Sequence, residues 1–281
     1  MTNSNTYKAG RHFLQVPGPT NIPDRVLQAM AFPAMDHRGP DFQNLSNSIL
    51  KKVKLIFKSE DPVVIFPSAG TGAMEASLAN TLSEGDKILM FETGHFATEW
   101  CQAARRYKLD VDFVPGDWRT GVDPKIVEKK LNEDKNHEIK AVLVTHNETS
   151  TGIKSQVEEV RKAIDSAKHP ALFMVDTISS LGSYNYDHQK WKVDVTVGGS
   201  QKGLMCPPGL SFNAISPKAL EAYKKSNLTK SYFDWGQMLE NNKNGLIPIM
   251  VELCKKFEFP TIKYDKKQYT NNNNPDITEK C

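Results

Sequence analysis

Residues 193 to 203 read Val193-Asp194-Val195-Thr196-Val197-Gly198-Gly199-Ser200-Gln201-Lys202-Gly203. The β-branched residues predict a strand, and the small residues after them predict a turn that holds Lys202 at the mouth of a sheet. A lysine in such a place loses part of its hydration, which favours the neutral amine, and a neutral amine can form a Schiff base with a carbonyl group. The plainer interpretation is a solvated lysine that ends a strand.

Similar apolar runs recur along the chain and alternate with segments of helical periodicity. The predicted strands are Val63–Phe66, Lys87–Phe91, Val111–Val114, Ala141–Val144, Ala171–Val175, Val193–Val197 and, as a further candidate, Leu210–Ala214. The predicted helices are 23–30, 45–57, 73–82, 96–107, 124–131 and 156–168. Strands that are apolar throughout are typical of parallel strands buried on both faces. The sequence therefore predicts an α/β fold, a mostly parallel sheet sandwiched by helices, in which ligands bind beyond the carboxyl ends of the strands.

Composition divides the chain into three regions. Residues 1–22 are predicted to be an extended segment, because the prolines of Pro17-Gly18-Pro19 prevent regular structure. Residues 23–244 hold the alternating strands and helices and form the predicted cofactor-binding domain. Residues 245–281 are polar and rich in asparagine and lysine, which predicts a divergent, poorly ordered tail.

The overall composition excludes several classes of function. The chain has 281 residues, of which 25% are charged, and its net charge of +3 is too small to indicate nucleic-acid binding. No apolar stretch is long enough to span a membrane, and the first residues lack the apolar core of a secretory signal. The four cysteines form neither a CxxC pair nor a cluster with zinc spacing, so we expect reduced thiols, a cytoplasmic protein and no metal site.

Polar residues gather where the first predicted strands end. Gly70 and Thr71 follow the first strand and precede a helix, where backbone N–H groups and the helix terminus favour an anion such as phosphate. Phe96 follows the second strand and could stack on a flat cofactor. Thr149 lies after the fourth strand, in a stretch that is dense in hydroxyl and amide groups. The plainer interpretations are a tight turn at Gly70, a core phenylalanine, and a helix cap near Thr149.

The later strand ends add a carboxylate and an amide. Asp176 closes a wholly apolar strand, which is costly unless the carboxylate meets a positive partner such as a protonated pyridine nitrogen. Its alternative role is a helix cap or an ion pair. Gln201, beside Lys202, could donate to a phosphate. In this order on successive strands, the residues fit pyridoxal phosphate (PLP) better than any other cofactor.

Several of these stretches also resemble a known family. They are Val16-Pro17-Gly18-Pro19-Thr20-Asn21-Ile22-Pro23, Ala69-Gly70-Thr71-Gly72-Ala73-Met74-Glu75, His146-Asn147-Glu148-Thr149-Ser150-Thr151-Gly152, Val175-Asp176-Thr177-Ile178-Ser179-Ser180 and Gly199-Ser200-Gln201-Lys202-Gly203. Together they resemble the class V aminotransferases of fold type I, and among these the serine–glyoxylate and alanine–glyoxylate enzymes. The resemblance runs from residue 13 to about residue 244 and is greatest for the serine–glyoxylate branch.

The resemblance implies a role for each matching residue. Lys202 would bind the cofactor covalently and then act as general acid and base. Asp176 would hold the pyridine nitrogen, and Thr149 would lie near the phenolic oxygen. Phe96 would stack on one face of the ring and Ile178 would pack on the other.

The phosphate and the reaction follow from the same resemblance. Gly70, Thr71 and Gln201 would hold the cofactor phosphate. The implied reaction transfers the amino group of serine or alanine to glyoxylate, which gives glycine and a keto acid. Family members are usually dimers with shared sites, so the implied assembly is a homodimer.

The sequence departs from the family pattern near its end. The resemblance expects a small C-terminal domain with an arginine that clamps the substrate carboxylate, but no arginine follows Arg161. We therefore expect a truncated copy in which that domain is largely missing, and the alternative function is a weak or inactive PLP-binding relict. A cysteine desulfurase would need a mobile cysteine, for which Cys254 is the one candidate. A nicotinamide-dependent dehydrogenase would need a glycine fingerprint that is absent.

Overall fold

The computed structural model describes residues 14–245. Its strands are β1 Val63–Phe66, β2 Lys87–Phe91, β3 Asp110–Val114, β4 Ile139–Thr145, β5 Asn147–Glu148, β6 Ile153–Lys154, β7 Leu172–Asp176, β8 Val195–Gly199 and β9 Ser211–Ile215. Its helices are α1 Asp24–Met30, α2 Pro40–Phe57, α3 Gly70–Thr81, α4 His95–Arg106, α5 Pro124–Glu133, α6 Val157–Ser166, α7 Pro217–Tyr223 and α8 Trp235–Asn242. No described helix has the length and hydropathy to cross a membrane.

Seven of the strands form one sheet in the order β1-β9-β8-β7-β4-β2-β3. The pairs β2–β3, β2–β4, β4–β7 and β7–β8 are parallel, which confirms the predicted mostly parallel sheet. β9 exists as predicted but runs antiparallel to both of its neighbours, β1 and β8. The connection from β8 to β9 explains this direction, because the loop 200–210 is too short to contain a crossover helix and must turn back on itself.

Helices cover both faces of the sheet, as predicted. On one face, β-sheet side chains such as Val142 and Phe173 pack with Phe57 of α2 and Val160 of α6. Alternate residues of the same strands point to the opposite face, where they pack on α3, α4 and α8. Phe173 is fully buried, and burial of a side chain of this size stabilises the fold by about 1.5–3 kcal/mol.

The structure differs from the predictions at several element boundaries. The third helix begins at Gly70 rather than at residue 73, so the Gly-Thr-Gly stretch belongs to its first turn and not to a preceding loop. Two helices were not predicted, α7 and α8, although each begins after a side-chain cap, Ser216 and Asp234 respectively. The short hairpin of β5 and β6 was also not predicted.

The ends of the chain are described only in part. Residues 14–23 contain neither helix nor strand, and the rest of the predicted extended segment lies outside the described residues. The predicted tail is described at residue 245 alone, so Cys254 and Cys281 lie outside the described residues too. The division into segment, domain and tail stays a prediction.

Candidate active site

The predicted site residues follow strands whose carboxyl ends lie at one edge of the sheet. β1, β2, β4, β7 and β8 all run in the same direction, so the loops after them leave the same edge. Contacts between these loops show that they are close together. A Cβ atom built on Gly199 would lie 3.5 Å from the Cγ2 of Ile178 and 3.7 Å from the Cα of Gly70. Loops after three different strands therefore meet at this point.

Lys202 lies in the turn that follows β8. Its Nζ donates a hydrogen bond of 2.9 Å to the backbone oxygen of Pro17. Partial burial lowers the pKa of the Lys202 amine, and the negative charge of Asp176 opposes this effect. The direction agrees with the sequence argument that this amine loses hydration, because a lower pKa leaves more of it neutral and nucleophilic near neutral pH.

Asp176 is the last residue of β7 and is only 4% exposed. Its Oδ1 accepts a hydrogen bond of 2.8 Å from the backbone N–H of Ile178, and no other hydrogen bond to the carboxylate is found within residues 14–245. Burial raises the pKa of Asp176 to about 7; the charge of Glu148 also raises it, whereas the Ile178 N–H and the charge of Lys202 lower it. The charged carboxylate is thus under-stabilised and suited to a positive partner.

The first turn of α3 provides backbone donors beside this carboxylate. Among the described residues, no side chain caps the helix, so its first N–H groups are not satisfied by a cap. A Cβ atom built on Gly70 would lie 2.5 Å from the Cδ1 of Ile178, so a larger residue would displace the isoleucine. Thr71, the next residue of this turn, is exposed. These features suit a bound anion at the helix N-terminus.

The first turn of α4 is held by Glu148, a residue for which the sequence analysis predicted no role. The Glu148 carboxylate is fully buried and accepts hydrogen bonds from the backbone N–H groups of Phe96 (3.3 Å) and Ala97 (3.1 Å). The Ser150 hydroxyl donates to Glu148 at 2.7 Å and accepts from the backbone N–H of His95 at 3.0 Å. The hairpin of β5 and β6 therefore fixes the helix that carries Phe96, and a carboxylate is favourable at this helix N-terminus.

Thr149 and Gln201 lie on the loops at this edge, and both are half-buried. Thr149 is in the turn between β5 and β6, directly after Glu148. The backbone oxygen of Gln201 accepts a hydrogen bond of 3.0 Å from the backbone N–H of Thr20. Thr20 is a second residue whose contacts the sequence analysis did not foresee, since its partner lies 181 residues away.

His146 follows β4 at the same edge of the sheet and contacts residues of the neighbouring strand β7 and of the loop after it. Its ring is buried, Nδ1 lies 2.9 Å from the hydroxyl of Ser180, and its backbone N–H donates to the backbone oxygen of Asp176 at 2.9 Å. Burial lowers the pKa of His146 to about 4, with a smaller effect of the same sign from the charge of Lys154. The imidazole is therefore neutral at physiological pH, which suits a structural role.

These residues fit PLP on three observations. Within residues 14–245, the buried Asp176 carboxylate has no positive neighbour other than Lys202, which suits a pyridinium nitrogen. The uncapped N-terminus of α3 suits the phosphate. The buried hydroxyls of Thr93 and Thr145 have no hydrogen-bond partner within the described part of the chain, and Thr145 is the register neighbour of Asp176. Buried polar atoms of this kind are expected to find a partner in a ligand or in water.

Comparison with known proteins agrees with the fold and with the predicted cofactor. The sequence model for "Aminotransferase class-V" matches residues 12–245. The chain is 47% identical over 249 residues to the serine–glyoxylate aminotransferase of Methylorubrum extorquens, an alignment that covers 86% of this chain and 62% of that protein. It is also 47% identical over 220 residues to the L-aspartate–glyoxylate aminotransferase of Paracoccus denitrificans, covering 78% of this chain and 56% of that protein.

A solved structure shows the same architecture. The aspartate aminotransferase of subgroup IV from Thermus thermophilus superposes with a TM-score of 0.77 at 29% sequence identity, covering 84% of this chain and 65% of that chain. The chain thus spans roughly three fifths of the length of the two curated relatives. The family model covers most of the sequence and the identities are well above those of chance similarity, so the predicted resemblance is confirmed and this chain belongs to the class V aminotransferase family.

Proposed function

We propose that this chain takes part in PLP-dependent transamination of a small amino acid, serine or alanine, with glyoxylate as the acceptor, which gives glycine and a keto acid. The observation that carries the proposal is a buried Asp176 and a half-buried Lys202 at one sheet edge, near enough for the charge of each to act on the pKa of the other. Support for glyoxylate comes from the two relatives at 47% identity, whose names both include it. Their amino donors differ, serine in one and aspartate in the other.

Bound PLP would supply an electron sink for the bonds at the substrate Cα. Asp176 would hold the ring nitrogen and favour its protonated form, which in turn would stabilise the buried carboxylate. Phe96 and Ile178 would hold the two faces of the ring, and Thr149 would bind its phenolic oxygen. Lys202 would carry a proton between the substrate Cα and the C4′ atom of the cofactor, a task suited to an amine whose pKa is lowered by burial.

The phosphate would be bound by backbone and side-chain donors around α3. The N–H groups of Gly70 and Thr71 lie in the first turn of this helix, where the helix dipole favours an anion. The Thr71 hydroxyl and the Gln201 amide would add side-chain donors. A phosphate fixed at this point would set the distance from the ring to Lys202 and so orient the reacting atoms.

The experiment is to load the full chain with PLP, reduce it with borohydride and map the adduct by mass spectrometry. We expect the adduct on Lys202, and none in Lys202→Ala. The matched control is Lys190→Ala, which removes an exposed lysine outside the site. Addition of L-serine or L-alanine should then shift the cofactor absorbance, and glyoxylate should restore it. Failure to trap any lysine adduct in the wild-type chain would contradict the proposal.

A second candidate function is PLP binding without turnover. Residues 162–281 contain no arginine, the residue type that the resemblance assigns to binding of the substrate carboxylate. Without such an arginine, both binding and orientation of the substrate would be weaker. The two functions separate in the same experiment, because this one gives the Lys202 adduct but no absorbance change with serine, alanine or aspartate.

We also propose that the chain forms a homodimer. α1 has no buried residue, although it carries Leu27 and Met30. Further large apolar side chains are exposed in the same part of the chain, namely Leu14, Val16, Phe32, Met35, Leu45 and Ile49. A second copy would cover such a surface. Sedimentation velocity of the full chain tests this, since a monomer at micromolar concentration would contradict it.

The proposed location is the cytoplasm. The described cysteines, Cys101 and Cys206, are free thiols rather than a disulfide, which suits a reducing compartment. Fractionation of cells that express the protein would test this, and recovery in a secreted or membrane fraction would contradict it.

A further inference from the structure

Four residues near the start of the described chain, Pro17 to Thr20, cross the turn that carries Lys202; we call them the strap. The Pro17 backbone oxygen accepts the hydrogen bond from Lys202 Nζ at 2.9 Å. The Thr20 hydroxyl donates to the backbone oxygen of Lys202 at 3.1 Å, and the Thr20 N–H donates to that of Gln201 at 3.0 Å. Since strap and turn are some 180 residues apart in sequence, these contacts arise from the fold alone.

Gly18 shows how closely the strap approaches the lysine. A Cβ atom built on Gly18 would overlap Lys202 Nζ and would lie 2.6 Å from its Cε. Gly18 also has a φ of +147°, a backbone conformation that residues with side chains rarely adopt. Both facts require glycine at this position if the lysine is to remain where it is.

The chemistry of the contact suits a lysine that must be free in part of its cycle. A neutral amine has N–H donors and one lone pair, and a backbone carbonyl is an acceptor only. The Pro17 oxygen can therefore hold an N–H of Lys202 without occupying the lone pair that attacks a carbonyl carbon or takes a proton. A side-chain hydroxyl in the same place could donate to that lone pair and block it.

We propose that the strap holds the free Lys202 amine in a fixed position, at the Pro17 backbone oxygen, which we call the seat. Thr20 is the positioning residue that fixes this seat to the lysine turn. The inference rests on the proposed function, because a seat matters only if Lys202 bonds to PLP and leaves it again. Thr20 acts through the backbone of Gln201 and Lys202.

The first test compares Thr20→Val, which keeps the shape but removes the hydroxyl, with Thr20→Ser, which keeps the hydroxyl. In the cofactor-free chain, reductive methylation with formaldehyde and cyanoborohydride should modify Lys202 about fivefold faster in Thr20→Val, the equivalent of one lost hydrogen bond. Thr20→Ser should match the wild type. Lys130, a half-buried lysine that pairs with Asp112, is the internal control and should not change.

The second readout is trapping of PLP on Lys202 by borohydride, which should become slower in Thr20→Val by a similar factor. Faster methylation with slower trapping is the signature of a displaced seat. Equal increases in the methylation of Lys202 and Lys130 would show that Thr20 only stabilises the fold, and no change in either readout would show that the strap does not hold the amine. Both results overturn the inference.

The third test is Gly18→Ala, in which the new methyl group should displace the lysine, speed its methylation and reduce trapping by more than tenfold. The matched control is Gly85→Ala, because Gly85 also has a positive φ, +85°, but lies between α3 and β2 and has no atom of the described residues within 4 Å of a built Cβ. Wild-type values in Gly18→Ala would overturn the inference. One further outcome is that the methylation rates of the variants follow this pattern while the wild-type chain traps no PLP. In that case the proposed function fails and the contact between the strap and Lys202 still stands.

Discussion

Replacement of Asp176 by asparagine should stabilise the cofactor-free protein while weakening its hold on PLP. The carboxylate is buried at the end of β7, and burial raises its pKa from 3.8 to about 7. Asparagine has nearly the same shape, and its Oδ1 can keep the hydrogen bond from Ile178. It carries no charge, so the cost of a buried carboxylate disappears.

The size and the sign of the effect follow from the two pKa values. The unfolded chain releases the Asp176 proton near pH 4, whereas the folded chain keeps it up to about pH 7. Between these values the folded chain binds more protons, so the free energy of unfolding falls as the pH rises. The difference of about 3 between the two pKa values corresponds to about 4 kcal/mol in the free energy of unfolding. About 3 kcal/mol of this stability is lost between pH 5 and pH 8. The advantage of Asp176→Asn should therefore grow by about that amount over this range.

Urea unfolding of both cofactor-free proteins at pH 5, 6, 7 and 8 measures this difference. When both proteins are loaded with PLP, the wild type should retain more cofactor than Asp176→Asn, because asparagine cannot stabilise a pyridinium nitrogen by charge. Two results would refute the reasoning. One is a difference in the free energy of unfolding between the two proteins that stays constant from pH 5 to pH 8, and the other is an Asp176→Asn protein that is less stable than the wild type at pH 8.

Three further measurements test other parts of the site and its support. Glu148→Gln should lower the free energy of unfolding by about 2 kcal/mol, because it replaces the buried charged acceptor at the start of α4, whereas Glu99→Gln on the exposed face of the same helix should have almost no effect in urea unfolding. His146 should show no titration above pH 5 in NMR spectra of the ring, since burial holds its pKa at about 4. Asn80→Ala should cost about 2–3 kcal/mol in the same unfolding assay, because it leaves the buried backbone N–H of Trp235 without its acceptor at 2.9 Å.

Each of the three has a result that would contradict it. Equal stabilities for Glu148→Gln and Glu99→Gln would mean that the charge of Glu148 is not needed at the helix N-terminus. A His146 titration with a midpoint near 6.5 would mean that the ring is hydrated. An unchanged urea midpoint for Asn80→Ala would mean that water replaces the lost acceptor.

The sequence predicts the parts of this fold that depend on local pattern. Apolar runs predicted all seven strands of the main sheet. The polar residues that follow two of these runs indicated Asp176 and Lys202 as residues at strand ends. The antiparallel direction of β9 could have been foreseen only from the length of the loop that carries Lys202, since the strand itself reads like its parallel neighbours. The roles assigned to the cofactor-binding residues stay predictions.

The rest of the site depends on contacts between distant parts of the chain. Glu148 reads as one polar residue in a polar loop, and its function as the cap of α4 arises only when two strand ends meet across 51 residues. Thr20 reads as part of an irregular proline-rich segment, and its partners on the lysine turn are some 180 residues away. Local periodicity carries no information on such pairs, because each side chain satisfies the same pattern with or without its partner.

The antiparallel strand β9 also has a consequence for how the protein is made. Among the described strands, β1 pairs with β9 alone, and Val63 meets Ala214 in that pair. A chain emerging from the ribosome therefore exposes β1 as an unpaired apolar edge until synthesis has passed residue 215. Such edges attract other chains, so nascent forms of intermediate length should depend on chaperones more than the finished protein does.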